Sequence, residues 1–181
     1  GNDAYYEKAA SILGEYIKKN QSALTEETIG ILGEKACVLS VLSDNTFKGF
    51  GEYSDGFGAE DLKAYEFYKD SFADEFTKMM KADNPKGIDE YNSAVEKNMI
   101  LCLVKYGDSS GELKDCLTLY ADEIGVDGSK ITADMCKSLM NEKDINGYSD
   151  IKTFVQNYGK NGGSQNSGGS GKGSSGGGYG G

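Results

Sequence analysis

Residues 109–125 read SSGELKDCLTLYADEIG and indicate a helix more clearly than any other stretch of the chain. Ser109 and Glu112 have the spacing of a capping box, in which each side chain bonds a free backbone N–H at the start of a helix. Apolar side chains then recur every three or four residues, which places them on one helix face: Leu113, Cys116, Leu117, Tyr120 and Ile124. We therefore predict an amphipathic helix that packs this face against a core.

Six further stretches on either side show the same helical spacing. Four of them follow a residue whose side-chain oxygen can accept a hydrogen bond from the first turn, as N-caps do: Asp3, Thr25, Thr132 and Ser149. Alternation of apolar and polar residues with a period of two is absent over any useful length. We predict an all-α fold, a single bundle of about six to seven helices.

The third predicted helix carries an aromatic face and ends before Pro85, the only proline. That face consists of Leu62, Tyr65, Tyr68, Phe72, Phe76, Met79 and Met80. We interpret it as core, with a pocket for an apolar ligand as the alternative. Residues 44–58 before it form a Gly- and aromatic-rich loop, which we interpret as a mobile lid or an adhesive assembly patch. The fourth helix is predicted to end at Gly107 in a left-handed cap.

The charged residues exclude several classes of protein. The chain of 181 residues has 19 Lys+Arg, all of them Lys, against 29 Asp+Glu, and it contains no His. A net charge of −10 without Arg disfavours contact with phosphate, so we expect no nucleic-acid partner. Without His, Ser-His-Asp and Cys-His catalysis and His-containing zinc sites are excluded. No apolar run reaches the roughly 18–20 residues of a membrane helix. We predict no enzyme activity, cofactor, metal site or membrane partner.

The composition changes abruptly after Tyr158. Residues 159–181 comprise 12 Gly and 5 Ser among 23 residues, with no aliphatic side chain to offset the entropy of ordering. We predict an acidic helical domain at 1–158 with a charge of −12, followed by a disordered tail with a charge of +2. Residues 159–181 are either such a tail or the start of a repetitive region.

Four cysteines lie on predicted helices: Cys37, Cys102, Cys116 and Cys136. One interpretation is free, buried thiols, since Cys packs as a small apolar residue. The other is two disulfides in a secreted protein. An antiparallel hairpin of the fourth and fifth helices favours Cys102–Cys116, which leaves Cys37–Cys136. The glycosylation sequon at residues 20–22 is compatible with secretion.

Two stretches have part of the pattern of a calcium-binding loop. In residues 122–134, Gly125 stands where a carboxylate is required, and the bidentate acid is absent. In residues 142–153, acidic and amide side chains alternate before Gly147, but Thr153 replaces the closing Glu. We interpret both stretches as connections between helices.

An acidic, helical, Cys-containing domain joined to a Gly/Ser/Tyr-rich segment is similar in layout to arthropod silk and related fibre proteins. The resemblance covers this organisation alone and assigns a role to no residue. It implies a non-enzymatic structural or assembly domain of a secreted, extracellular fibre-type protein, which keeps that protein soluble and controls its self-association. The implied partners are further copies of the chain and other fibre components.

Two alternatives to this function remain open. One is a secreted helical carrier for a small apolar ligand, and the other is a glycan-cleaving enzyme that uses paired carboxylates.

For the assembly domain, the charge of the chain predicts how self-association depends on pH and salt. Without His, a response near pH 5–7 requires carboxylates with a raised pKa. We expect acidification or added salt to promote self-association of residues 1–158, because either one reduces the repulsion between copies.

Overall fold

The structure is a computed structural model that describes residues 2–21, 24–47, 49–50 and 66–160. These residues form eight α-helices and no β-strand, which confirms the all-α class. The helices are α1 (Asn2–Lys19), α2 (Glu26–Val41), α3 (Ala73–Asp83), α4 (Ile88–Tyr106), α5 (Ser110–Leu119), α6 (Ala121–Ile124), α7 (Ala133–Asn141) and α8 (Tyr148–Asn157). Short 3-10 turns lie at Asp70–Phe72 and Gly128–Lys130.

The chain divides into two compact units, unit 1 (Gly1–Asp108) and unit 2 (Ser109–Gly181). The predicted acidic body therefore consists of two helical units. Of the predicted tail, Gly159 and Lys160 are described, and residues 161–181 lie outside the described part of the chain. Most of the predicted loop, residues 51–58, also lies outside it, as do Leu62 and Tyr65 of the predicted aromatic face.

Unit 1 is organised around α4. In this helix Met99–Val104 are buried without interruption, so it has no solvent face along this stretch. It packs against α3 and α2, and α1 packs chiefly against α2. Asn98 is the buried polar residue of α4, and its side-chain amide donates to the Asp83 carboxylate at 2.8 Å. This bond satisfies the amide where α4 meets the end of α3.

Aromatic rings form the contact between the loop that follows α2 and the helices of unit 1. The Phe50 ring is fully buried, with ring-centroid distances of 5.3 Å to Phe47, 5.1 Å to Phe76 and 6.4 Å to Tyr91. The Phe47 and Phe76 rings meet Phe50 edge to face, which is a preferred arrangement for aromatic pairs. Phe47 and Phe50 are thus part of the core, which corrects their interpretation as a lid or an adhesive patch.

Unit 2 begins with one of the two hydrogen bonds of the capping box predicted at Ser109 and Glu112. The Ser109 hydroxyl accepts from the Glu112 backbone N–H at 3.2 Å, and Leu113, Cys116 and Leu117 are buried. The predicted single helix is interrupted at Tyr120, and its last turn is the separate helix α6. Gly125 then ends α6 in a left-handed conformation with φ +87°. Thr132 caps α7 as predicted, since its hydroxyl accepts from the Met135 N–H at 3.2 Å.

Among the other predicted N-caps, Thr25 is confirmed and two are wrong. The Thr25 hydroxyl accepts from the Thr28 N–H at 3.1 Å. Asp3 lies inside the first turn of α1, which begins at Asn2. Ser149 lies inside α8, whose N-cap is Gly147; the Asp150 carboxylate accepts from the Gly147 N–H at 3.1 Å. The N-cap thus lies two residues before the predicted one, and the Asp150 carboxylate bonds the backbone N–H groups of Asn146 and Gly147 just ahead of the helix.

Two further boundaries differ from the prediction. The third helix begins only at Ala73, because a 3-10 turn at Asp70–Phe72 precedes it, and it ends at Asn84 before Pro85 as expected. Gly107 follows α4 with φ −72° and ψ 160°, so it is extended and not left-handed. The reason for a glycine there is space, since an added Cβ would lie 2.4 Å from the Leu103 carbonyl oxygen. No helix among the described residues is long and apolar enough to cross a membrane.

Replacing Gly107 by Ala is expected to lower the free energy of unfolding by about 1–3 kcal/mol, because the new methyl group meets backbone that cannot move aside. Gly33→Ala is the matched control, since a Cβ at that helical position meets nothing within 4 Å. It is expected to raise stability by up to about 1 kcal/mol. Urea unfolding followed by circular dichroism measures both, and equal effects would contradict the steric role of Gly107.

Candidate functional site

The larger of two described grooves lies in unit 2 and has a volume of about 690 Å³. One wall is the segment between α6 and α7, and the other is the end of α8. The lining residues are Gly125, Val126, Asp127, Ser129, Lys130, Thr132, Val155, Gln156, Tyr158, Gly159 and Lys160. The groove therefore includes the last described residues before the Gly-rich segment.

Short-range geometry shapes this groove. The Gln156 side-chain amide donates to the Ile124 carbonyl at 2.7 Å and ties α8 to the end of α6. An added Cβ on Gly125 would come within 3.3 Å of that amide nitrogen. Close packing therefore favours glycine at this position, in addition to the positive φ. On the opposite wall, Gly159 has φ +83°, and the Lys160 N–H bonds back to the Asn157 carbonyl at 3.2 Å. The chain therefore turns sharply where α8 ends.

The chemistry of the groove is that of a mixed polar surface. Its lining has one carboxyl group, Asp127, which accepts from the Ser129 N–H at 2.8 Å. Hydrogen bonds from the Ser129 backbone and side chain lower the pKa of Asp127. One carboxylate that is engaged in a turn does not form the pair that glycan hydrolysis requires. The groove also exposes the side chains of Lys130 and Lys160.

A smaller groove of about 320 Å³ lies in unit 1, between the second half of α1 and the start of α4. Five of its lining residues are charged: Glu15, Lys19, Lys86, Asp89 and Glu90. The Glu90 carboxylate accepts from the Lys86 backbone N–H at 3.1 Å and thereby caps the approach to α4. The groove shows that α1 is not closely packed against this end of α4.

A polar cluster surrounds Asp44 in unit 1. One carboxylate oxygen of Asp44 accepts from the backbone N–H and the hydroxyl of Thr46, each at 2.7 Å. The other accepts the hydroxyl hydrogen of Tyr5 from α1. The Lys81 ammonium donates to the backbone carbonyls of Asp44 and Phe47, both at 3.3 Å, and lies 5.6 Å from the Phe47 ring centroid. The cluster thus connects the loop after α2 to both α1 and α3.

The structure corrects the predicted disulfides, because all four cysteines are free thiols. Neither Cys102–Cys116 nor Cys37–Cys136 is formed. Cys102 is buried, and its thiol faces α3, where its sulfur lies 3.8 Å from the Met79 sulfur. Helix spacing placed Cys102 opposite Cys116, but the rotation of α4 about its axis, which packing decides, turns the thiol into the core of unit 1.

Burial explains the chemistry of these thiols. Desolvation, with a smaller contribution from Glu75, raises the pKa of Cys102 to about 12. Desolvation likewise raises the pKa of Cys136 to about 11. Cys116 is also fully buried, whereas Cys37 is exposed on α2. The free-thiol interpretation therefore describes three buried side chains and one accessible one.

The two calcium-like stretches form connections between elements. Asp127 caps the 3-10 turn at Gly128–Lys130, and Asp150 accepts from the Asn146 and Gly147 N–H groups at the start of α8. Within the described ranges, no three or more Cys, Asp or Glu side chains form a group that could hold a metal ion. Asp127 and Asp150 thus bond backbone N–H groups within these connections.

The predicted aromatic face packs ring against ring where it is described. Phe72 and Phe76 are buried, and the Tyr68 ring meets them edge to face, with centroids 6.5 Å and 5.7 Å away. These contacts agree with the interpretation as core. In the cluster around Asp44, the polar contacts of Lys81 and of Tyr5, which the helical spacing places on the apolar face of the first helix, were not predicted from the sequence. No local sequence pattern marks Lys81 as a contact of the loop after α2. The hydrogen bond from Tyr5 to Asp44 joins residues that lie 39 positions apart in the chain.

Comparisons with known proteins add no relative. No protein-family model matches this chain, and no curated protein and no solved structure matches it either. The function therefore has to be argued from the charges, the units and the grooves described above.

The thiols give a direct prediction. With Ellman's reagent at pH 8, Cys37 is expected to react quickly in the native protein. The three buried thiols are expected to react at least about 100-fold more slowly, because the thiolate is the reactive form and burial disfavours it. Four thiols are expected in guanidinium chloride. Cys37→Ser is the control that removes the fast phase. Fewer than four thiols in denaturant would show that disulfides form after all.

Asp44 gives a prediction about pH. Hydrogen bonds from the Thr46 backbone and side chain lower the pKa of Asp44, and Lys81 acts in the same direction. Its ionised form therefore stabilises unit 1 fully above pH 3.8, and this contribution disappears as the pH falls through the lowered pKa. The urea midpoints of the wild type and Asp44→Asn are expected to differ at pH 7 and to converge below pH 3.8. A difference that does not shrink as the pH falls below 3.8 would contradict the role of the charge.

Proposed function

We propose that this chain is a non-enzymatic assembly domain of a secreted, fibre-type extracellular protein. Its task in this proposal is to keep the protein soluble through repulsion between acidic helical bodies and to allow self-association when that repulsion is screened. The observation that carries the proposal is the junction at Gly159, where a helical body with a charge of −12 passes directly into a Gly-rich segment.

The distribution of charge supports this role. Acidic side chains such as Glu7 and Glu34 stand exposed on α1 and α2. The ion pair between Lys78 and Glu75, at 3.3 Å, has one side chain that is 73% exposed, and such a surface pair contributes little stability. The excess of carboxylates is therefore available to repel other copies.

Salt is expected to be a stronger trigger than mild acid. A response near pH 5–7 requires carboxyl groups with a raised pKa, whereas Asp44 and Asp127 both have lowered pKa values because N–H groups bond their ionised forms. Screening acts on all exposed charges at once, with a Debye length of about 8 Å at physiological ionic strength.

The contacts of the described residues do not favour the carrier function. A carrier requires an enclosed, mostly apolar pocket. The two described grooves expose charged side chains, among them Lys130 and Asp89, and the aromatic side chains Phe72 and Phe76 are packed in the core. Because the thiols are free, the case for secretion rests on the layout and the sequon, not on disulfides.

Sedimentation velocity of the full chain tests the proposal. At pH 7.5 we expect a monomer in about 20 mM salt and association in about 500 mM salt, where the Debye length falls to a few ångströms. The variant E7Q/E34Q/D115N removes three exposed negative charges from helix interiors, and it is expected to associate at a lower salt concentration.

The matched control is K8Q/K114Q/K137Q, which makes the same number of amide replacements at exposed helical positions but increases the negative charge. It is expected to require more salt than the wild type. A monomer under all conditions, or equal shifts in both variants, would overturn the proposed role of charge in assembly.

A further inference from the structure

Helix α1 is attached to unit 1 by little fully buried surface. Of its 18 residues, Ala9 is the one described side chain that is fully buried. Its larger apolar side chains, Ile12, Leu13, Tyr16 and Ile17, are half-buried, and Tyr6 is 66% exposed. In α4, by contrast, eleven residues are buried. Since burial of apolar surface is the main source of stability, α1 is held far less strongly than α4.

The groove of about 320 Å³ in unit 1 also weakens the attachment of α1. It separates the second half of α1 from the start of α4, and its walls include Ile12 and Ile88. Side chains next to a gap lose the dispersion contacts that close packing provides. The second half of α1 therefore depends mainly on α2 for its contacts.

The first half of α1 is attached by a hydrogen bond from Tyr5 to the Asp44 carboxylate, which other residues hold in place. Lys81 holds the backbone carbonyls of Asp44 and Phe47, which fixes the loop after α2 to α3 independently of α1. Thr46 occupies one oxygen of the Asp44 carboxylate and orients it, so the second oxygen accepts from Tyr5. Only Tyr5 in this cluster belongs to α1.

We propose that α1 opens from unit 1 as a separate arm and that the hydrogen bond from Tyr5 to Asp44 is the latch that keeps it closed. Segments with few buried apolar contacts open at a lower free energy than the global unfolding of the protein. A hydrogen bond to an ionised carboxylate is among the stronger ones, so its loss has a measurable effect on such an equilibrium.

Opening uncovers the surface of α2 on which α1 packs. A second copy of the chain can cover this surface with its own α1, which makes the arm a means of exchange between copies. This last step rests on the assembly function proposed above, whereas the latch itself does not.

Hydrogen exchange followed by mass spectrometry tests the latch in the full chain at pH 7 and low salt. In the wild type, amides of α1 are expected to exchange at least tenfold faster than those of α4. Tyr5→Phe is expected to raise the exchange rate of α1 about tenfold further and to leave α4 unchanged, because one charge-assisted hydrogen bond is lost. The matched control is Tyr6→Phe, which removes the hydroxyl group of the exposed neighbouring side chain. It is expected to change the exchange rate of neither α1 nor α4.

A second variant keeps the test decisive if packing around Tyr5 changes. Asp44→Asn weakens the same bond from the acceptor side, so its effect and that of Tyr5→Phe are expected to be less than additive in the double variant. Equal exchange of α1 and α4 in the wild type would overturn the separate arm. Equal effects of the Tyr5 and Tyr6 variants, or full additivity with Asp44→Asn, would overturn the latch.

Failure of the latch is distinguishable from failure of the assembly function. The exchange experiment is read on the chain at low concentration and low salt, where it does not depend on association. Salt-dependent sedimentation without a separate α1 would leave the assembly function standing. A separate α1 in a chain that stays monomeric would leave the latch standing alone.

Discussion

The burial of α4 is the interaction on which unit 1 depends. The run Met99–Val104 turns apolar side chains in every direction around the helix, and a helix of this kind is stable only when other elements surround it. Helices α2 and α3 pack against α4, and the Phe50 ring stacks on Tyr91 of the same helix. Fully burying one large apolar side chain contributes about 1.5–3 kcal/mol, so the run from Met99 makes a large contribution to the stability of this unit.

Part of the acidity of the chain has a local structural use. Asp44, Asp127 and Asp150 each accept backbone N–H groups at a turn or a helix start, where a carboxylate is the strongest available acceptor. Other acidic side chains, such as Glu34 and Asp115, are simply exposed. The net charge therefore combines groups that shape the fold with groups that act at a distance on other copies, and only the second kind can be changed without altering the turns.

Features that depend on a few neighbouring residues were predictable. Thr25, Ser109 and Thr132 are N-caps because a hydroxyl reaches an N–H three residues ahead, whatever the rest of the chain does. The same logic failed at Ser149, which lies inside α8 because the helix already begins at Tyr148 with Gly147 as its N-cap. Gly107 was correctly placed at a helix end, but its reason is the close carbonyl of Leu103 and not a left-handed conformation. Local patterns thus identified positions better than they identified causes.

The sequence by itself determined the all-α class, three of the N-caps and the change of composition after Tyr158, because helical periodicity, capping and Gly content are properties of short segments. Only the tertiary structure decided the division into two units, the free thiols and the bond from Tyr5 to Asp44. Each of these depends on how a helix is rotated and which element lies against it. That rotation follows from the packing of distant side chains, such as Cys102 against Met79, and spacing along the chain does not encode it.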